Sequence, residues 1–127
     1  MSSYKVGHAI STEGRQGTSE LADGSLKLDM REHTPEELYA MAYAACYSSA
    51  LDAVKEARDI DSKHRIEVIA GVDEDKDDTP LYVEIQVAFE DLDEKTAERI
   101  AGYGDKLCRY STAVEGNIDK KVTVIDY

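Results

Sequence analysis

Thr34-Pro35-Glu36-Glu37-Leu38-Tyr39-Ala40-Met41-Ala42-Tyr43-Ala44-Ala45-Cys46 is the run that decides the architecture of this chain, because a helix start and the first of two cysteines lie in it. Thr34 suits an N-cap, Pro35 suits the first helical position, and Glu37 stands three residues after Thr34 to complete a capping box. The pattern predicts a helix running to about Arg58. Leu38, Ala42, Ala45 and Ser49 recur at the spacing of one helix face, and Met41, Tyr43, Ala44, Cys46 and Ala50 widen that face almost all round. A helix so broadly apolar or small is buried on more than one side. In a chain of 127 residues that predicts a second subunit covering part of it.

Working outward from this helix, residues 3–12 read as a strand and Gly14-Arg15-Gln16-Gly17 as a turn with two permissive glycines. Asp23-Gly24 is a hairpin-type turn signal, and Ser25 to Met30 alternates as a half-buried strand does. Downstream, residues 64–73 and 81–89 read as strands joined by an Asp-rich linker with Thr79-Pro80, which predicts a long hairpin. In the second of these, Leu81, Val83, Ile85, Val87 and Phe89 alternate with Tyr82, Glu84, Gln86 and Ala88. A second helix is predicted from about Asp93 to Leu107, with Leu92, Thr96, Ile100, Tyr103 and Leu107 on its apolar stripe. Ser111, Gly116 and Asn117 favour an irregular segment, and Lys121 to Asp126 closes the chain as a strand. The order β-β-α-β-β-α-β, with hairpins rather than crossovers, predicts an α+β fold with largely antiparallel sheet, packed as a single domain over residues 1–127.

The charge balance excludes whole classes of partner. A formal net charge of −12 argues against nucleic acid, whose phosphates call for clustered Lys and Arg, and against an anionic membrane surface. No apolar run approaches the roughly 20 residues needed to cross a bilayer. The N-terminus has no apolar core of a secretory signal, so the expected location is cytoplasmic. The acidic run Asp73 to Asp78 lacks the alternating oxygen ligands, central Gly and final Glu of an EF-hand, and reads as a solvated loop. His8, His33 and His64 have no ligand spacing with either cysteine, so neither a metal nor another cofactor is expected.

Cys46 and Cys108 are the only cysteines, too few for a disulfide scaffold. A nucleophilic thiol with a second thiol to resolve it is the minimum equipment for reducing a peroxide. The ordinary alternative is a pair of buried thiols acting as small hydrophobes. A normal thiol titrates near 8.5, so a fast Cys46 needs a cation to hold its thiolate. Arg15, in its Gly-flanked turn, is the candidate cation, though such an Arg is ordinarily solvated. Glu36, in the first helical turn, either complements the helix dipole or steadies the Arg15 guanidinium by charge-assisted hydrogen bonds. Ten residues of straight helix between Glu36 and Cys46 span about 15 Å. Contact of one Arg with both groups therefore requires a subunit interface or an early helix bend. Cys108 follows Lys106-Leu107 and precedes Arg109, an electropositive position, and the irregular segment expected after it suits a resolving thiol, which has to come within disulfide reach.

Taken together, Gly14-Arg15-Gln16-Gly17, Thr34 to Leu38 leading into Ala44-Ala45-Cys46, and Cys108-Arg109-Tyr110-Ser111 through Gly116-Asn117-Ile118 resemble the Ohr/OsmC family of thiol peroxidases, in its organic hydroperoxide resistance branch. The resemblance implies an OsmC-like fold in an intertwined homodimer with active sites at the subunit interface. It implies that Cys46 is the peroxidatic thiol, Cys108 the resolving thiol, Arg15 the catalytic cation and Glu36 its partner. It also implies an organic hydroperoxide as substrate and a dithiol reductant such as a lipoylated protein. Two features depart from that pattern: Arg109 stands where Ohr-like sequences usually have Pro, and the segment between Leu28 and Thr34 is shorter than the usual Gly-rich loop.

Overall fold

The structure, a computed structural model, describes residues 6–78 and 80–127. Residues 3–5 of the first predicted strand, and Thr79 of the predicted linker, lie outside the described residues. The chain divides into two compact units, residues 1–38 and 39–127.

The N-terminal unit is a three-stranded antiparallel sheet in the order β1-β2-β3, from β1 (Ala9–Thr12), β2 (Thr18–Leu21) and β3 (Lys27–Asp29). The predicted turn is a single 3-10 turn over Gly14–Gln16, entered through Glu13 and Gly14, both at positive φ. Gly14 relieves part of that strain because it lacks a Cβ. β2 was not foreseen: Thr18-Ser19-Glu20-Leu21 has no apolar alternation, and pairing with β1 and β3 on both sides makes it a strand. The capping box forms as the sequence requires. Thr34 N–H donates to Glu37 Oε1 at 2.7 Å and Glu37 N–H donates to Thr34 Oγ1 at 3.1 Å. These bonds start α1 (Pro35–Ala57), which runs on into the second unit.

The second unit packs α1 and α2 (Glu94–Leu107) against a sheet in the order β4-β5-β6, from β4 (His64–Val72), β5 (Leu81–Phe89) and β6 (Asp119–Ile125). β5 is central, and its alternation holds as far as Val87: Val83, Ile85, Val87 and Phe89 enter the core beside Tyr43, Tyr47, Leu51, Ile100 and Ala101, while Ala88, expected on the other face, is buried too. β4 pairs antiparallel to β5, as a hairpin demands. β6 pairs parallel to β5, so the last connection is a crossover and not a hairpin. The crossover is α2 followed by a second helix, α3 (Arg109–Val114), where an irregular segment was expected. Cys108 makes the elbow, with φ −65° and ψ 119°, closing α2 and opening α3. Arg109 occupies the first position of α3, the one that tolerates Pro best because its N–H needs no helical partner. The elbow therefore forms with Arg at this position.

Two predicted helix faces are corrected. The buried face of α1 is Tyr43, Tyr47, Ala50, Leu51 and Val54. At about 100° per residue it lies nearly opposite the predicted stripe of Ala42, Ala45 and Ser49, which is exposed in the single chain together with Met41. In α2 the buried residues are Ala97, Ile100, Ala101 and Gly104, whereas Tyr103 and Leu107 are exposed. Small residues win that face because the helices approach closely: a Cβ on Gly104 would stand 2.7 Å from Leu51 Cδ2. Tyr103 is covered from outside by the Arg58 guanidinium, 4.0 Å from its ring centroid.

Candidate functional site

Of the four residues singled out by sequence, the structure brings two pairs together. The first pair belongs to the N-terminal unit. The 3-10 turn presents Arg15, and Arg15 Nη2 donates to Glu36 Oε1 at 2.9 Å. That hydrogen bond raises the Arg15 pKa and holds the Glu36 carboxyl below its ordinary value. Arg15 keeps 59% of its side chain exposed, so the guanidinium has free N–H donors on its open side.

The second pair belongs to the larger unit. Cys46 and Cys108 are both free thiols, and Cys108 Sγ donates to Cys46 Sγ at 3.4 Å. That separation exceeds the disulfide length of about 2.05 Å, so the two thiols are adjacent and unbonded. The two thiols are not equivalent. Cys46 lies at the margin of the buried face of α1 and is only partly buried, whereas Cys108 is 1% exposed. Burial pushes the Cys108 thiol up, and the neighbouring Cys46 adds to the rise. The electropositive setting expected from Lys106 and Arg109 does not materialise at this sulfur: both cationic residues are exposed, and what surrounds Cys108 is apolar and phenolic.

Ser111 opposes that rise. Its polar groups lower the Cys108 pKa and offset part of the effect of burial. Ser111 is itself fully buried, and its Oγ lies 2.5 Å from the Tyr43 hydroxyl. The Tyr43 pKa is pushed up to about 12, chiefly by burial, so this phenol stays protonated. Tyr39 and Tyr110 pack edge-on against the Tyr43 ring at 5.9 and 6.1 Å. Lys120, 9% exposed, pairs with Asp105 at 2.7 Å and with Glu115, tying α2 and the end of α3 to β6.

Sequence reasoning passed over Tyr43 and Ser111 as polar partners, counting the first as part of an apolar face and the second as a loop former. The signal was a mirrored spacing, Tyr43-x-x-Cys46 and Cys108-x-x-Ser111. On α1 residues three apart share a helix face, so the Tyr43 hydroxyl accompanies the Cys46 thiol. No group of three or more His, Cys, Asp or Glu residues suited to a metal ion occurs among the described residues. No helix among them is long and apolar enough to cross a membrane.

The chain resembles known proteins along most of its length. The family model described as "OsmC-like protein" matches residues 28–123. The chain is 29% identical over 120 residues to organic hydroperoxide resistance protein OhrB of Bacillus subtilis, covering 93% of this chain and 88% of that one. It is 28% identical over 130 residues to an organic hydroperoxide resistance protein of Xanthomonas axonopodis pv. citri, covering 92% of each chain. Among solved structures, an organic hydroperoxide resistance protein OsmC from Legionella pneumophila superposes with a TM-score of 0.85 at 29% identity, covering 97% of this chain and 98% of that one.

Proposed function

We propose that this chain, which belongs to the OsmC-like family, is a thiol-dependent peroxidase that reduces organic hydroperoxides to alcohols. The observation that carries the reading is the pair of reduced thiols 3.4 Å apart, one partly open and one buried, in a chain whose relatives are named for organic hydroperoxide resistance. Cys46, the accessible sulfur, attacks the distal peroxide oxygen as a thiolate. The O–O bond breaks, the alkoxide leaves and takes a proton as the alcohol, and Cys46 becomes a sulfenic acid. Cys108 then attacks that sulfur and expels water, giving the Cys46–Cys108 disulfide. A dithiol donor, such as a lipoylated protein, reopens it and becomes a disulfide itself.

Arg15, aimed by Glu36, supplies the cation that stabilises the attacking thiolate. The working form is a homodimer of 127-residue chains, each acting as one OsmC-like domain, in the cytoplasm and without a cofactor. The exposed Met41, Ala42, Ala45 and Ser49 of α1 support the dimer, because apolar and small residues on an open helix face favour a second copy over water. Turnover with tert-butyl and cumene hydroperoxides against hydrogen peroxide, using dihydrolipoamide or thioredoxin as donor, tests the proposal. Oxidation that stops at one equivalent with every donor favours a redox-sensing protein of the same fold instead.

A further inference from the structure

Cys108 sits at a hinge, and one side chain of the sheet bridges it. α2 ends and α3 begins at Cys108, whose ψ of 119° turns the chain out of the helical conformation. No side chain caps α3 at this point. Cys108 N–H donates to Gly104 O at 2.8 Å, on the α2 side, and Cys108 O accepts from Thr112 N–H at 3.0 Å, on the α3 side. Each bond finishes its own helix, and neither fixes the rotation between them. Arg109 follows, and unlike Pro it does not lock its own φ. The angle of the elbow therefore rests on contacts that span it. Thr112 Oγ1 makes an exposed one to Lys106 O at 3.3 Å, and Ser111 Oγ meets the Tyr43 hydroxyl of α1 at 2.5 Å.

The charged contact across the elbow belongs to Lys120 of β6. Its Nζ donates to Asp105 Oδ2 at 2.7 Å, in the last turn of α2, and pairs with Glu115 Oε2 at the C-cap of α3. The Lys120 side chain is 9% exposed and that of Asp105 22%, so this arm is shielded from water, whereas Glu115, at 67%, makes the weaker arm. Asp105 Oδ1 is buried and has no hydrogen-bond partner among the described residues, so the carboxylate depends on Lys120 for its compensation. Lys120 is itself firmly placed: it stands opposite the buried Val83 in the pairing of β6 with the central strand β5. From α1, the helix that carries Cys46, the Tyr47 hydroxyl donates to Ala101 O of α2 at 2.5 Å. The end of α2 is thus held by α1 and by β6 together.

Resting on the Cys46–Cys108 disulfide of the reading above, we propose that Lys120 is a positioning residue for that disulfide. By holding Asp105 and Glu115 on one ammonium it fixes the elbow angle, and so keeps Cys108 Sγ against Cys46 Sγ. Two groups held at contact distance bond more readily than two that wander, because less freedom is lost when the bond closes. Without the clamp the elbow swings, and the effective concentration of Cys108 at Cys46 falls. Chemistry at Cys46 alone, on α1, does not use the elbow and keeps its rate.

Glutathione buffers measure this effect without peroxide. The Cys46 thiolate attacks oxidised glutathione and expels one glutathione thiolate. Cys108 then attacks Cys46 Sγ and expels the second, and the two cysteine protons end on the two glutathiones. Wild type, Lys120→Met, Lys120→Arg and Asp105→Asn are equilibrated across a series of such buffers, quenched in acid, and their disulfide is counted by mass spectrometry. Lys120→Met is expected to lower the effective concentration about tenfold, equivalent to about 30 mV for a two-electron couple. Lys120→Arg, which keeps the charge, is expected to retain most of the wild-type value, and Asp105→Asn to fall between. Alkylation of Cys46 by iodoacetamide, in a Cys108→Ser background, is expected to run at the same rate in all of them. An unchanged disulfide equilibrium in Lys120→Met overturns the proposal. So does a fall matched by an equal fall in Cys46 alkylation together with a lowered Tm, which marks a structural role alone. Should Lys120→Met fail to fold, Asp105→Asn, which keeps the shape of the side chain, decides on the same two readings. Wild-type protein that reduces no hydroperoxide sinks the peroxidase reading, while the glutathione equilibrium still decides this one.

Discussion

Cys46 and Cys108 face each other at 3.4 Å, yet only Cys46 is open to solvent. This asymmetry separates two roles that a bare pair of cysteines leaves undivided. On the proposed peroxidase reading, the partly exposed sulfur meets peroxide and reductant and the buried one resolves it. Cys46→Ser is therefore expected to abolish peroxide turnover. Cys108→Ser is expected to keep the first oxidation and lose the disulfide, leaving a sulfenic acid that dimedone traps and mass spectrometry counts at about one per chain. A Cys108→Ser protein that turns over normally with a dithiol contradicts the assignment.

The Arg15–Glu36 pair makes a kinetic prediction. A thiol of ordinary pKa is about 3% ionised at pH 7, so loss of its cation lowers the peroxide rate by up to about 30-fold. Arg15→Ala is expected to approach that limit, and Glu36→Gln to fall between it and wild type. Glu36 titrates below its ordinary value in the folded chain. The pair is therefore complete at neutral pH and is lost only as pH falls through that lowered value, beneath the ordinary carboxylate range. Single-turnover rates with cumene hydroperoxide from pH 4 to 8 check both points.

Two glycines of α2 are expected to behave oppositely. Gly104→Ala gains about 1 kcal/mol of helix propensity but drives a methyl to within 2.7 Å of Leu51 Cδ2 and 3.3 Å of Tyr47 Cζ, in a core that has little room to yield. Overpacking costs about 1–3 kcal/mol, so a net loss of about 1 kcal/mol is expected. Gly102 is exposed, and a Cβ added there would meet nothing within 4 Å, so Gly102→Ala is expected to stabilise by up to about 1 kcal/mol. Urea denaturation of the two variants measures the difference in sign.

His64 supplies a pH dependence unrelated to the thiols. Its ring is 8% exposed, Nε2 lies 2.8 Å from Ser48 Oγ, and its buried Nδ1 has no hydrogen-bond partner among the described residues. Asp52 Oδ1 stands 3.9 Å from Nδ1, too far to offset burial and the nearby Lys55, and the folded pKa is held below the ordinary 6.5. The unfolded chain takes up a proton first on acidification. The stability that His64 contributes is full above about pH 6.5 and is lost as pH falls from there toward the folded value. His64→Gln is expected to flatten Tm between pH 7 and 5.5, a window above most carboxylate titrations.

The features legible in the sequence were those that neighbours a few residues away impose. Thr34 and Glu37 cap α1 because their partners lie within one helical turn, and β5 alternates because a half-buried strand repeats every two residues. The two thiols, Arg15 and Glu36 were legible as candidates, since the chemistry a side chain can do follows residue type. Tertiary packing decided the rest. The face of α1 that enters the core carries Tyr43 and Tyr47, not Ala42 and Ala45, because the sheet and α2 offer a cavity that the larger rings fill. β6 runs parallel to β5 because α2 and α3 return the chain across the sheet, and no residue of β6 encodes that direction. The distance between the sulfurs, the burial of Cys108 and the hydrogen bond between Tyr43 and Ser111 depend on two segments far apart in the chain being packed together. Residue type supplied the candidate reagents, and long-range packing set which sulfur is open to solvent and which is buried.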